Sequence, residues 1–238
     1  MGDFPRLHAL IPAAGRSQRF GGEVPKQYAP LLGRPVLAHS IEALRRHSAV
    51  LGVTVVVAPD DSLFEDRLRP MFPDVGTVPG GDSRARSVLN GLESIARTDP
   101  ACRWVLVHDA ARPCLARDDL ERLIEQGLDA PDGAILAVPV RDTLKQADRE
   151  GRIERTVDRT VLWAAQTPQM FRRDDLAEVL AAALAAGEEP TDEAGAMEQA
   201  GRHPLLVEGC STNLKITGPG DLALAEFILR GRGEEGAR

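Results

Sequence analysis

Residues 7–28 read LHALIPAAGRSQRFGGEVPKQY. The apolar run 7–11 closes at Pro12 and reads as a short buried strand. Directly after it stand small residues, Ala13, Ala14 and Gly15, which let the backbone come close to a ligand. With Pro12 they form a turn whose N–H groups can cradle phosphate oxygens. Arg16, Arg19 and Lys26 add positive charge. The glycine spacing fits neither a Walker A loop nor a dinucleotide fingerprint. A plain glycine-containing turn with solvated cations is the other reading of such a stretch. Its place after a first strand, where open α/β sheets bind ligands, favours phosphate.

Outward from that stretch, strand-like and helix-like segments alternate. In 35–46, PVLAHSIEALRR, Val36, Leu37, Ile41 and Leu44 share one helical face and Pro35 suits a first turn. The run 50–57, VLGVTVVV, is rich in β-branched residues and is stopped by Pro59, as expected of a strand covered on both faces. Helices are expected at 82–96, 118–126, 176–186 and 221–229, and strands at 104–107, 134–138, 205–207 and 214–216. Such alternation predicts an α/β fold: a Rossmann-like, doubly wound, mostly parallel sheet, in a single domain over 1–238. The stretch 141–159, RDTLKQADREGRIERTVDR, breaks the alternation, with strand-like pieces around a polar turn at Glu150-Gly151. Composition leaves two readings for it, a projecting β-hairpin arm over 139–160 and a solvated loop. An arm would be marginal alone and calls for a partner subunit to cover it.

The chain's 43% hydrophobic and 27% charged content is that of an ordinary globular protein. A formal net charge of −7 argues against a sequence-independent nucleic-acid binder, yet allows a local cationic cluster for a small anion. Cys102, Cys114 and Cys210 are odd in number and show no metal-ligand spacing, so free thiols in a reducing, cytoplasmic setting are expected. No signal peptide and no membrane span is expected.

Later segments add chemistry. Asp109 follows the strand-like WVLVH, where a carboxylate is well placed for Mg²⁺ between phosphate oxygens; a turn or cap aspartate is the alternative. GGDSRARS, 80–87, joins a strand to a helix, with Asp82 or Ser83 also readable as a helix cap. Together with residues 12–28, GGDSRARSVLNGL (80–92), VLVHDAARPC (105–114), PVRDTLK (139–145), TVDR with LWAAQTPQMF (156–171), and TDEA with VEGCSTNLKIT (191–217) form an ordered set. That set resembles the 2-C-methyl-D-erythritol 4-phosphate cytidylyltransferase family across nearly the whole chain, and the assigned positions show no departure from its pattern.

The resemblance implies a Rossmann-like domain with a β-arm that builds a homodimer, and a reaction joining CTP to a sugar-alcohol phosphate with release of pyrophosphate. It implies Arg19, Lys26 and Lys215 at the triphosphate, with Arg159 also catalytic, and Asp109 as the Mg²⁺ ligand. Gly80, Gly81, Asp82 and Ser87 would read the cytosine. Arg112, Thr143, Arg159, Thr167 and Thr191 would serve the acceptor, with the arm contributing to the partner's site. His108 is expected to pack at a strand end rather than act as a base. Ribitol 5-phosphate is the rival acceptor, and a non-catalytic nucleotide-binding relative the rival class.

Overall fold

The computed structural model describes residues 6–15 and 24–235. Their centre is a seven-stranded sheet. Its strands are β1 (Leu7–Pro12), β4 (Val50–Val57), β5 (Gly76–Pro79), β6 (Trp104–Val107), β7 (Ala134–Pro139), β10 (Trp163–Arg172) and β11 (Leu205–Glu208). Their spatial order is β11-β7-β10-β6-β1-β4-β5, and β10 alone in this sheet runs antiparallel to its neighbours. The small hairpin β2 (Pro30–Leu31) and β3 (Arg34–Pro35) stands apart, as does the pair β8 (Leu144–Ala147) and β9 (Ile153–Val157).

Alternation along β1 explains the two layers. Leu7, Ala9 and Ile11 join one core with Leu37, Ile41 and Leu44 of α1 (Val36–Arg45) and with Leu120, Leu123 and Ile124 of α3 (Arg117–Asp129). Leu10 faces the other way, into a second core with Val88, Leu92 and Ile95 of α2 (Arg84–Thr98) and Leu176 and Leu180 of α4 (Arg173–Ala185). A sheet buried on both faces needs apolar side chains on both, hence continuous runs such as 104–107; β4 is buried over 53–56, while Leu51 near its start is 55% exposed. Gly91 lets α2 lie against β1: a Cβ there would stand 2.4 Å from Leu10 Cδ1. A third cluster joins Leu31, Val36, Ala111, Cys114 and Ile216 to Ala225 of α6 (Pro219–Glu235). The short α5 (Glu193–Gln199) packs beside α4.

The break in alternation resolves into a hairpin, with Leu144 opposite Val157 and Lys145 opposite Thr156, and with Gly151 at φ +80° in its turn. Ile153 is 68% and Val161 77% exposed, apolar surface that an isolated chain leaves to water. The expected strand at 214–216 is absent. That backbone is held singly, Ile216 N–H donating to Ala111 O at 2.8 Å, with no ladder. The antiparallel β10 and the helix α5 carry no clear period in sequence, since Pro168 and polar residues interrupt both patterns. Among the described residues, no helix is long and apolar enough to cross a membrane.

Candidate active site

The carboxyl ends of β1, β5 and β6 open into a cleft of about 450 Å³, lined on one side by Pro12, Ala13, Ala14 and Gly15 with Lys26. Ala13 N–H donates to Val56 O at 2.8 Å, which carries the chain off β1 into the loop. Gln27, which also lines the cleft, fixes the loop: its Nε2 donates to Ala13 O at 2.8 Å and to Gly15 O at 3.2 Å. Both carbonyls are thereby engaged by the protein itself. Gln27 is 5% exposed and was not legible as a site residue, because a glutamine beside a lysine carries no motif of its own. Arg19 lies outside the described residues, as does Arg16.

Gly81, Asp82, Ser83, Arg84 and Ser87 form the facing wall. Ser83 caps α2 by accepting from Arg86 N–H at 3.1 Å, so the helix begins at Arg84, two residues later than expected. Asp82 stays exposed at the cleft. Ser87 is buried and holds the turn, its hydroxyl donating to Ser83 O at 2.8 Å and accepting from Gly81 N–H at 3.1 Å. Gly80 lies just behind the wall: a Cβ there would sit 2.5 Å from Ala14 Cβ and 3.0 Å from Ser87 Oγ. The two loops can approach only because that methyl is missing.

Asp109, at the end of β6, is the floor of the cleft, 9% exposed. Its Oδ2 meets Lys215 Nζ at 2.9 Å and Arg112 Nε at 3.3 Å, and its Oδ1 faces Arg84 Nη2 at 3.7 Å. Burial opposes the charge of Asp109, but Lys215, Arg84 and Arg112 outweigh it and hold the carboxyl far below the usual carboxylate range. Asp109 is therefore an anion at any working pH. Arg84 is itself paired bidentately with Glu193, at 2.6 and 3.0 Å.

A buried relay supports this floor. Thr167 Oγ1 accepts from Asp109 N–H at 3.0 Å and lies 3.0 Å from His108 Nδ1. His108 Nε2 stands 3.0 Å from Arg112 O. A carbonyl can only accept, so Nε2 carries the proton and Nδ1 accepts from the Thr167 hydroxyl. Burial lowers the His108 pKa from 6.5 to about 4, which leaves the ring neutral and fully committed. That is the packed strand-end histidine expected from sequence. Arg112 Nη1 donates to Asn213 O at 2.7 Å, and Asn213 Nδ2 donates to Thr167 O at 2.8 Å. Asn213 is fully buried and ties the loop of Lys215 to the strand of Thr167.

The structure thus brings together Pro12 to Gly15, Lys26, Gly81, Asp82, Ser87, Asp109 and Lys215. It places Arg112 and Thr167 beneath Asp109 as supports, outside the lining of the cleft. Thr191 is exposed just before α5 and joins neither. Thr143 and Arg159 are exposed at the base of the hairpin and do not line the cleft of their own chain. The physical reason is that β8 and β9 pair with each other in a hairpin of their own, between β7 and β10 in the chain, and join no strand of the central sheet.

Residues 7–231 match the family model of 2-C-methyl-D-erythritol 4-phosphate cytidylyltransferase. A relative of that name from Xanthomonas euvesicatoria pv. vesicatoria is 52% identical, the match covering 95% of this chain and 86% of the relative. One from Vibrio vulnificus is 48% identical over 94% of each. Among solved structures, a 4-diphosphocytidyl-2C-methyl-D-erythritol synthase superposes with a TM-score of 0.82 at 43% identity, covering 94% of this chain and 98% of that one. The cytidylyltransferase of Thermus thermophilus superposes at 0.79 with 32% identity, over 94% of this chain and 99% of its own.

Proposed function

The chain belongs to the 2-C-methyl-D-erythritol 4-phosphate cytidylyltransferase family, and on that premise we propose that the cleft above Asp109 is where it joins CTP to 2-C-methyl-D-erythritol 4-phosphate. The products are 4-diphosphocytidyl-2-C-methyl-D-erythritol and pyrophosphate, a step of non-mevalonate isoprenoid precursor synthesis. The observation that carries the reading is the convergence of the β1 loop, Lys26, Lys215 and Asp109 on one cleft.

The chemistry fits those groups. An oxygen of the acceptor phosphate forms a bond to the α-phosphorus of CTP as the bond to the β-phosphate bridging oxygen breaks. A phosphate monoester has its second pKa near ~6, so the nucleophile is already a dianion near neutral pH and needs no base. A neutral, fully bonded His108 is consistent with that. The task is to bring two anions together and to neutralise the charge that builds on phosphorus. Main-chain N–H groups of Ala14 and Gly15, with Lys26, would hold the β- and γ-phosphates, Ala13 N–H being engaged by Val56 O. Lys215 would move from Asp109 onto the α-phosphate. Arg19 would add a further cation there.

Mg²⁺ fits Asp109. The carboxylate is ionised, and the closest approaches of Lys215 and Arg112 are both to Oδ2, which leaves Oδ1 the less engaged oxygen. Bound there, the ion would neutralise phosphate charge without proton chemistry. On the acceptor side we assign Arg112 and Thr191 from one subunit and Thr143 and Arg159 of the arm to a site shared across a homodimer. The free cysteines Cys102, Cys114 and Cys210 fit a reducing, cytoplasmic setting for the enzyme.

Pyrophosphate release from CTP and Mg²⁺ tests the proposal, with methylerythritol 4-phosphate and ribitol 5-phosphate run side by side. Turnover with the first and a much lower kcat/KM with the second is expected. The reverse order would move the enzyme to another acceptor, and turnover with neither would remove the reaction.

A further inference from the structure

Glu193 is 1% exposed, opens α5 and lies 109 residues from Arg84, whose guanidinium it grips at 2.6 and 3.0 Å. A buried ion pair is weak evidence of stabilisation, because desolvation offsets the attraction. Its geometry points to another use. The Arg84 guanidinium is held bidentately by Glu193, Asp109 stands at 3.7 Å, beyond hydrogen-bond reach, and Asp192 acts on it from further off. Glu193 is itself fixed from outside the cleft. Gln169 Nε2 donates to Asp192 Oδ2 at 2.8 Å, and Gln169 Oε1 accepts from Ala194 N–H at 2.8 Å, on either side of Glu193. Asp192 also caps the helix by accepting from Gly195 N–H at 2.8 Å.

We propose that Glu193 is a positioning residue that holds Arg84 off Oδ1 of Asp109 and so keeps that oxygen available to a divalent cation. Without the Glu193 carboxylate, Asp109 is the nearest remaining anionic partner of this guanidinium, and a small side-chain shift would close the gap to Oδ1. A cation would then have to displace Arg84 as well as compete with Lys215. Two other carboxylate–guanidinium pairs of the protein, Arg34–Glu42 and Arg69–Glu65, are surface pairs with no third charged group assigned to a site. The inference rests on Asp109 being the metal ligand.

Mn²⁺ serves as the probe, with the free ion counted by electron paramagnetic resonance over nucleotide-free protein, so no turnover is needed. Wild type and Asp109→Asn come first. Binding lost in Asp109→Asn places the ion at that carboxylate; binding that is absent, or equal in both, removes the metal reading and the role of Glu193 with it. Given that placement, Glu193→Gln is expected to weaken the Kd about tenfold. Adding Arg84→Gln, which removes the competing guanidinium, is expected to bring it back near wild type. Unchanged binding in Glu193→Gln, or equal weakening in the single and double variants, overturns the proposal. Should Glu193→Gln not fold, Arg84→Gln alone decides: it is expected to bind Mn²⁺ at least as tightly as wild type, and weaker binding overturns the proposal.

Discussion

His8 occupies β1 with its Nε2 2.9 Å from Thr54 Oγ1, and its Nδ1 has no partner among the described residues. A Cβ on Gly52 would fall 2.7 Å from Nδ1, so the ring occupies space that only glycine leaves. Burial lowers its pKa from 6.5 to about 4, with Asp99 pulling weakly the other way. The folded protein therefore keeps His8 neutral down to about pH 4, while the unfolded chain takes up a proton near 6.5. Stability from this group is complete above pH 6.5 and is lost as the pH falls toward 4, because only the unfolded state binds the proton. From about pH 6.5 to about pH 5 the loss is about 2 kcal/mol, at roughly 1.36 kcal/mol per unit. Urea melts at about pH 7 and about pH 5 check this: the drop should be smaller by about that amount in His8→Asn. An equal drop in both proteins would sink the account.

At the scale of elements, the site is made by two loops that touch. Gly80 follows β5 and meets Ala14 beyond β1, and α2 begins shortly after it under the Ser83 cap. Gly80→Ala places a methyl 2.5 Å from a fixed Cβ, where neither backbone can yield cheaply. The strain should cost about 1–3 kcal/mol, the usual range for overpacking. It should act mainly on the spacing between the loop after β1 and the turn before α2, which are proposed to hold the phosphates and the base, so the KM for CTP is expected to rise about tenfold while kcat changes less. Steady-state kinetics with a melting curve on the same sample would settle it. A KM within about twofold of wild type and an unshifted Tm would show that the loops have slack.

The whole molecule raises the question of what covers the hairpin. Ile153, Val161, Leu144 and Trp163 present apolar surface around the arm, and the expected acceptor residues Thr143 and Arg159 stand beside it, off their own cleft. A second copy of the chain answers both facts if its cleft receives this arm. Lys26→Ala and Arg159→Ala should each lower kcat by about 10²–10³, as for removal of a charge-stabilising group. Mixed in equal amounts and allowed to exchange, they should regain about a quarter of wild-type activity, since half the dimers would hold one intact site of two. No recovery after exchange is demonstrated by mass would mean that each chain uses its own arm.

The two-layered sheet was legible because its cause is local. A strand buried on both faces must be apolar, and 104–107 and the centre of 50–57 show that without any knowledge of neighbours, though Leu51 at the start of the second run is 55% exposed. That the loop after β1 faces a cleft was legible for the same reason: small residues after a strand suit a ligand-facing turn, and residues 12–15 with Lys26 line the cleft. The hairpin was half legible, since a polar turn between strand-like pieces looks like a loop until pairing is seen. Gln27, Asn213 and Glu193 were not legible at all. Each acts through a partner brought near by folding: Ala13 for Gln27, Thr167 for Asn213, Arg84 for Glu193. Thr167 and Arg112 were named from the family resemblance, but that their side chains turn toward Asp109 from below is set by the tertiary structure. The sequence by itself determined the layers, the loop and the inventory of charges. Only the folded structure decided which charges meet, because an ion pair is a distance, and a distance across 109 residues is set by packing rather than by any residue's own type.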